Sequence, residues 1–392
     1  MQSAIVAGGG IGGMAAALAL ARAGWRVTVC EQAEEITEVG AGLQVSPNAS
    51  RALRALGVLD AVAEVASRPE RAILRDGRTG STIFTTELGE SAVRRWGSPY
   101  LHVHRADLLA ALSRAAENAG AEVMLGARVR HALDTRDGVA VHLENETRLE
   151  ADLVIGADGI RSALRRQLNE DEQPRFAGQV AWRGTVPAER LPAGTVRPEA
   201  TVWAGPKRHL VTYPLRRGAL INFVAVEERP EGLSEGWVAP GDPDMLRRAY
   251  AGWHPQVEGL LAQVESTFQW GLYDRPEQVT WVKGRIVLIG DAAHPMLPFM
   301  AQGAAMALED AVVLDRCLAA GNVAEALRAF EDIRWRRVTR VQARARANGR
   351  LFHKRTLLGR LTSHLPLAAL TRALPGLAAG QLDWLYGYDP TI

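Results

Sequence analysis

Ala4-Ile5-Val6-Ala7-Gly8-Gly9-Gly10-Ile11-Gly12-Gly13, followed by the run Met14–Ala23 and the segment Trp25–Cys30, decides the fold of this chain. Ala4–Ala7 reads as a short apolar strand, Gly8–Gly13 as a turn, and the alanine- and leucine-rich Met14–Ala23 as a helix stopped by Gly24. Trp25–Cys30 alternates, with Val27 and Val29 on one face of a second strand and Arg26 and Thr28 on the other. The glycines match GxGxxG at Gly8, Gly10 and Gly13. The first permits the tight turn, the second lets the backbone approach a pyrophosphate, and the third lets helix and strand pack closely. The helix N-terminus offers unpaired N–H groups and partial positive charge to the phosphates. Glu31, at the end of the second strand, stands where an acid accepts a ribose hydroxyl. The unit predicts a dinucleotide-binding, doubly wound α/β domain.

Outward from this unit, one helix is expected over Asn48–Ala66 and another over Ala106–Ala119. Strands follow Val123, with a hairpin at Asp137-Gly138 and a buried run Leu153–Ile155 that ends in Gly156-Ala157-Asp158-Gly159. From Phe176 to Val226 the period is two, with Val202, Val211, Tyr213, Phe223 and Val224 in segments punctuated by turns such as Arg217-Gly218. That block predicts an inserted, mostly antiparallel sheet. Pro243–Glu265 reads as helical, Ile286–Ile289 as a strand ending in Gly290-Asp291, and Gly303–Leu382 as helical. The resulting division is 1–175 for the nucleotide domain with a small β insertion at about 68–100, 176–275 for the sheet, 276–320 for the return segment, and 321–392 for a helical C-terminal region.

Composition narrows the function. With 392 residues, 47% hydrophobic and 23% charged, the chain is neither disordered nor a disulfide scaffold. Lys plus Arg number 46 against 44 acids, so there is no global field for nucleic acid. Seven arginines between Arg334 and Arg350 are expected on a solvated helix face. Cys30 and Cys317 form no CxxC and suit a reducing, cytoplasmic compartment. The apolar opening lacks the basic leader of a secretory signal, and no stretch reaches the ~18 uncharged apolar residues of a membrane span. No His, Cys and carboxylate cluster has metal-ligand spacing, and no GxSxG or Ser/His/Asp arrangement is present.

Two further motifs follow the glycine-rich unit in order: Asp152-Leu153-Val154-Ile155-Gly156-Ala157-Asp158-Gly159 and Gly284-Arg285-Ile286-Val287-Leu288-Ile289-Gly290-Asp291. With His102-Val103-His104-Arg105-Ala106-Asp107-Leu108, they make the chain resemble the FAD-dependent aromatic hydroxylases, the single-component flavin monooxygenases that include salicylate hydroxylase. The resemblance covers nearly the whole chain. It implies FAD contacts from Gly8, Gly10, Ile11, Gly12, Gly13, Glu31 and Gln32, from Gly42 and Leu43, and from Arg105, Val129, Asp158 and Asp291. The segment Pro298-Phe299-Met300-Ala301-Gln302-Gly303-Ala304-Ala305 would frame the flavin ring, its helix N-terminus facing the negative charge of the reduced flavin. Ala301 and Ala305 stand where many members have glycine; the salicylate hydroxylase-like subgroup is closer, also in the tail Trp384–Asp389. No second GxGxxG is present, so NADH or NADPH would bind only in passing to reduce the flavin. O₂ and a small aromatic acid or phenol would then meet, with hydroxylation through a flavin hydroperoxide.

Deprotonating a phenol needs a polar acceptor. His209 and Tyr213, four apart on one strand, share a face roughly 13 Å long at ~3.3 Å per residue, and stand like a His and Tyr beside the substrate in related hydroxynicotinate monooxygenases. They are the expected catalytic pair. Gln44 falls where those relatives place a His; Trp182, Trp203, Arg183, Pro298 and Met300 are further candidates for the substrate wall, Arg183 as partner of a substrate carboxylate. His294 is expected to support the site by packing. A larger isoprenoid or polycyclic substrate, a nicotinamide dehydrogenase, and a non-catalytic flavin protein are the alternatives; a homodimer is the assembly left open.

Overall fold

The computed structural model describes residues 1–36, 42–169, 174–230, 239–275, 279–353 and 379–392. Its first layer is a six-stranded sheet of β1 (Ser3–Ala7), β2 (Arg26–Cys30), β7 (Glu122–Met124), β11 (Leu153–Gly156), β18 (Val282–Lys283) and β19 (Ile286–Leu288). The order is β18-β19-β11-β1-β2-β7, parallel except for the edge strand β18. α1 (Ile11–Arg22) packs against α5 (Arg105–Asn118) and α9 (Gly303–Leu318). Every residue from Met14 to Leu20 is buried, so this alanine-rich helix is apolar all round because it is enclosed all round. α1 begins at Ile11, a turn earlier than the sequence suggests, so Gly12 and Gly13 belong to the helix. Gly12 lets α9 approach: a Cβ there would lie 3.2 Å from Ala307 Cβ.

Beside it stands a meander of β8 (Val129–Asp134), β9 (Val139–Leu143) and β10 (Arg148–Ala151), whose β8–β9 turn is closed by Thr135 N–H donating to Gly138 O, as the Asp137-Gly138 signal indicates. A two-stranded ribbon, β3 (Gly42–Val45) with β6 (Leu101–His104), links this layer to the next. The helix expected over Asn48–Ala66 is two, α2 (Pro47–Ala55) and α3 (Leu59–Val65), because Gly57 takes φ +71° and stops the first.

The second layer is an eight-stranded sheet ordered β16-β17-β12-β15-β14-β13-β4-β5. It holds β4 (Arg71–Asp76), β5 (Thr82–Glu87), β12 (Arg175–Pro187), β13 (Glu199–Gly205), β14 (Arg208–Leu215), β15 (Leu220–Glu228), β16 (Ala239–Gly241) and β17 (Thr267–Asp274). All neighbours are antiparallel except β13 and β4. The segment at 68–100, expected as a small insertion of the first domain, therefore completes the large sheet with β4 and β5. α7 (Pro243–Ala249) and α8 (Pro255–Ala262), a broken pair where one helical stretch is expected, cover one face of that sheet. α10 (Val323–Phe352) and α11 (Asp383–Tyr386) supply the helical C-terminal region; the part of that expectation at 354–378 lies outside the described residues. No helix among the described residues is long and apolar enough to cross a membrane.

Candidate active site

The glycine turn after β1 is held shut by backbone contact. Gly8 has φ +108°, its N–H donates to Cys30 O, and a Cβ on it would sit 2.4 Å from Ala157 O. A Cβ on Gly13 would meet Gly8 O at 1.9 Å, whereas one on Gly10 would meet nothing within 4 Å. The turn is thus tight behind and clear in front. α1 starts at that clear side with no side-chain cap and no acid in its first turn, leaving its N–H groups for an anion. Glu31 accepts from Gly9 N–H at 2.6 Å and from Ala33 N–H at 2.9 Å, which fixes its carboxylate beside the turn. Ala127 N–H donates to Glu31 O, so the approach to Val129 passes the same place, while the Val129 side chain enters the core. Gln32 next to it is exposed.

The return segment reaches the same spot. After β19, Gly290 turns with φ +57° and Asp291 lies with its Oδ1 4.0 Å from where a Cβ on Gly303 would be, so the acid stands at the start of α9. Burial raises the Asp291 carboxyl pKa, and the charges of Arg105 and His294 oppose that rise. α9 has no acid in its first turn and no side-chain cap. α1 packs on α9, Glu31 stands at the turn before α1, and Arg105 acts on Asp291 at the start of α9, which brings two helix N-termini, two carboxylates and a cation to one side of the first sheet. These residues fit FAD: the clear side of Gly10 and α1 for its pyrophosphate, Glu31 and Asp291 for its hydroxyls, and the α9 terminus for its ring.

A buried polar network fixes this edge. Glu309 and Asp310 on α9 are fully buried. Arg334 donates to both at 2.6 Å, and Arg337 donates to Glu309 at 2.6 and 2.7 Å. Asp310 Oδ2 also accepts from Gly290 N–H and lies 2.6 Å from His294 Nε2. Burial would raise the Asp310 pKa, but His294 and Arg334 outweigh it and bring it to about 2. Asn48 bridges Glu309 to the Gln302 side chain, which donates in turn to Ser46. Gln302 thus offers the cofactor only its backbone. Arg334 and Arg337, read from sequence as part of a solvated face, are instead the cations that make two buried acids tolerable. His294 packs in support, as expected, with Trp281 against its ring.

The large sheet supplies the opposite wall. Cross-strand partners share a face, and the pairs His209–Val226, Val211–Val224 with Val224–Arg183, and Tyr213–Asn222 set one face of β12, β14 and β15. The 3₁₀ turn Pro298–Met300 lies over it, with the Phe299 ring 5.4 Å from that of His209. β3 and β6 close the other end. Gly42 N–H donates to Asn222 Oδ1 at 2.7 Å, a Cβ on Gly42 would strike the Tyr213 ring at 2.5 Å, and the His102 ring stands 4.7 Å from that of Tyr213. Burial raises the Tyr213 hydroxyl pKa while Arg183 lowers it; burial drives His209 well below the ordinary range, and His102 to about 3. Arg183 is buried on this face, 5.4 Å from the centre of the Trp270 ring.

Residues 1–345 match the family described as FAD binding domain. The chain is 40% identical to a 3-amino-4-hydroxybenzoate 2-monooxygenase of Streptomyces platensis, over 98% of this chain and 95% of that protein. It is 38% identical to a 6-hydroxynicotinate 3-monooxygenase of Pseudomonas fluorescens, over 86% and 88%. A salicylate hydroxylase substrate complex superposes with a TM-score of 0.82 at 28% identity, covering 99% of this chain and 96% of that one. The chain belongs to the FAD-dependent aromatic hydroxylases.

Within this hydroxylase, His209, Tyr213 and Arg183 come together on one buried face. Trp182 and Trp203 do not join them. Both point to the opposite face, where they pack with Leu210, Phe223, Tyr250 and Trp253 beneath α7 and α8. One residue of register separates Trp182 from Arg183, and the pairing Trp182–Ala225 sends its side chain away from the site. Gln44, opposite His102 in the ribbon, accepts from Tyr100 O–H at 2.6 Å. Pro298 and Met300 lie in the turn itself, Met300 against Asn348. Asp158 accepts from Ala163 N–H at 2.7 Å at the start of α6 (Ala163–Leu168), which Ser162 caps, beside the glycine turn. Ala304 and the buried Ala305 extend α9 inward from Gly303, while Leu43 packs on the core next to Gly42. Asn222 carries no motif signal, because it acts through Gly42, far away in the chain; His102 and Phe299 lie inside motifs read from the sequence, but their contacts with Tyr213 and His209 are set by distant strands.

Proposed function

We propose that this hydroxylase adds oxygen to a small aromatic acid that already carries a ring hydroxyl, using NADH or NADPH as reductant and O₂, in the cytoplasm. The observation that carries this reading is Arg183, a buried cation on the same face as His209 and Tyr213. A guanidinium fixed there matches a carboxylate in two parallel hydrogen bonds. The names of the two relatives above each describe an aromatic carboxylic acid with a hydroxyl group.

FAD, when bound and reduced by NADH or NADPH, would activate O₂, one atom of which goes to the ring and the other to water. The protein supplies the rest. Gly10 and the α1 terminus would hold the pyrophosphate, and Arg105 and Asp291 would hold the hydroxyl-bearing part of the cofactor. The turn Pro298–Met300 and Gln44 frame the substrate, and Arg183 fixes its carboxylate. His209 accepts the ring-hydroxyl proton, which raises electron density on the carbon to be attacked, and Tyr213, near Arg183 and roughly 13 Å along the same face at ~3.3 Å per residue, holds the other end of the substrate.

The test is NADH and NADPH oxidation by the FAD-loaded protein with salicylate, hydroxybenzoates, hydroxynicotinates and larger phenols, with product analysis. A carboxylated phenol should stimulate oxidation and appear with one added oxygen. His209→Ala should lower the hydroxylation rate on the order of 10²–10⁴-fold with FAD retained. Stimulation only by larger phenols lacking a carboxylate, or by none, would overturn the reading.

A further inference from the structure

We propose that His353 and Glu228 hold His209 as the neutral imidazole whose Nε2 carries the free lone pair, which makes them positioning residues for the proton-accepting step. The inference rests on the reading of His209 as that acceptor. His209 Nδ1 lies 2.6 Å from His353 Nε2, with both rings buried. Of two imidazole nitrogens so close, one must carry the hydrogen and the other the lone pair, so the two tautomers are locked together.

The far side of His353 decides which. Its Nδ1 is 3.5 Å from Glu228 Oε1 and 3.3 Å from the Gln179 side-chain nitrogen, and a 180° turn of that amide exchanges the nitrogen for its oxygen, the orientation a carboxylate beside the same imidazole nitrogen requires. Gln179 and Glu228 are direct cross-strand partners on β12 and β15, so both arrive on one side of the sheet. A carboxylate only accepts, which puts the hydrogen on His353 Nδ1; the Gln179 amide can present its oxygen to the same hydrogen. His353 Nε2 then accepts, His209 Nδ1 donates, and His209 Nε2 is left with its lone pair. The Phe299 and Phe352 rings, 5.4 and 5.2 Å from the His209 ring, pack on it while the imidazole contact sets its hydrogen.

When the substrate O–H bond breaks, its electron pair stays on oxygen and the proton binds His209 Nε2. The resulting charge is shared through Nδ1–H with His353 and offset by Glu228. Among the described residues, the other titratable or charged groups on these elements include Arg183 on β12, Tyr213 and Arg208 on β14, Glu227 on β15, and Tyr250 after α7, whose hydroxyl donates to His209 O. Burial holds His209 neutral before the proton arrives, and only a positive charge on His353 would oppose protonation further; the neutral His353 accepts from Nδ1–H and so supports the cation.

The experiment compares FAD-loaded His353→Leu, His353→Gln, Glu228→Gln and His209→Ala in hydroxylation rate, KM, FAD content and the pH profile of kcat. His353→Leu should lower kcat roughly 10–100-fold with KM nearly unchanged. The acid limb of its profile should move to lower pH, since the cation loses its partners. His353→Gln, which keeps an oxygen where Nε2 lies, should recover most of the rate, and Glu228→Gln should shift the acid limb in the same direction. Wild-type kcat and acid limb in His353→Leu would overturn the proposal. So would a His353→Gln as impaired as the leucine variant together with an unchanged Glu228→Gln. If His353→Leu loses FAD, the glutamine variants carry the same decision. Wild-type activity in His209→Ala would instead remove the acceptor reading itself.

Discussion

The two faces of the eight-stranded sheet are both buried, yet they bury different chemistry. Beneath α7 and α8 lie Trp182, Trp203, Leu210, Phe223 and Ala225, an apolar layer. On the other side lie Arg183, His209, Tyr213 and Asn222, polar groups that cost free energy to bury and are kept in place by Gly42, His353 and the 298–300 turn. Neighbours in sequence, one residue apart, serve folding on one face and chemistry on the other. The alternation of the strand is what separates the two demands.

Substitutions one residue apart should therefore have unlike consequences. Trp182→Ala should destabilise the fold by about 3–5 kcal/mol, read as a lower denaturation midpoint, with kcat/KM of the folded fraction nearly unchanged. Arg183→Met should act on the chemistry instead. Losing a buried cation that pairs with a carboxylate costs about 2–5 kcal/mol, so kcat/KM of the folded protein for a carboxylated substrate should fall at least 30-fold. A substrate analogue without the carboxylate should lose much less. If Trp182→Ala abolished turnover in well-folded protein, or folded Arg183→Met kept wild-type kcat/KM, the division between the faces would fail.

How much of this was legible follows from where each feature's causes lie. Gly8, Gly10, Gly13, Glu31 and Asp291 are readable because each holds a fixed place in a short motif or at a fixed spacing from one, although the contacts of Gly8 are made with Cys30 and Ala157 in other segments. His209 and Tyr213 are readable as a pair because a period of two needs no partner. Which side Trp182 takes is not, since the register of β12 is set by β15 and by β17, with an irregularity between Phe176 and Val180. The membership of β4 in the large sheet depends on parallel pairing with β13, Arg71 opposite Glu199, far along the chain. Arg334 and Arg337 look like a solvated stripe because the acids that bury them sit on another helix, α9. His353 becomes informative only when α10 has delivered it to His209.

The smallest effect expected is at Ala301, which follows the turn lying on the polar face. It sits between the 298–300 turn and α9 with φ +52°, a left-handed conformation that costs an L-residue roughly 1–2 kcal/mol. Glycine removes that strain but loses about 0.5–1 kcal/mol to the greater freedom of the unfolded chain. Ala301→Gly should therefore raise stability by about 0–1.5 kcal/mol, a small upward shift of the thermal midpoint. FAD affinity is the sharper readout. The turn is held by Asn348, which donates to Phe299 O, and by the Gln302 bridge to Asn48, neither of which involves the Ala301 side chain. Affinity should stay within about twofold, a difference below ~0.5 kcal/mol. A larger loss would mean that the strained alanine itself, not the network around it, keeps the end of α9 aimed at the flavin.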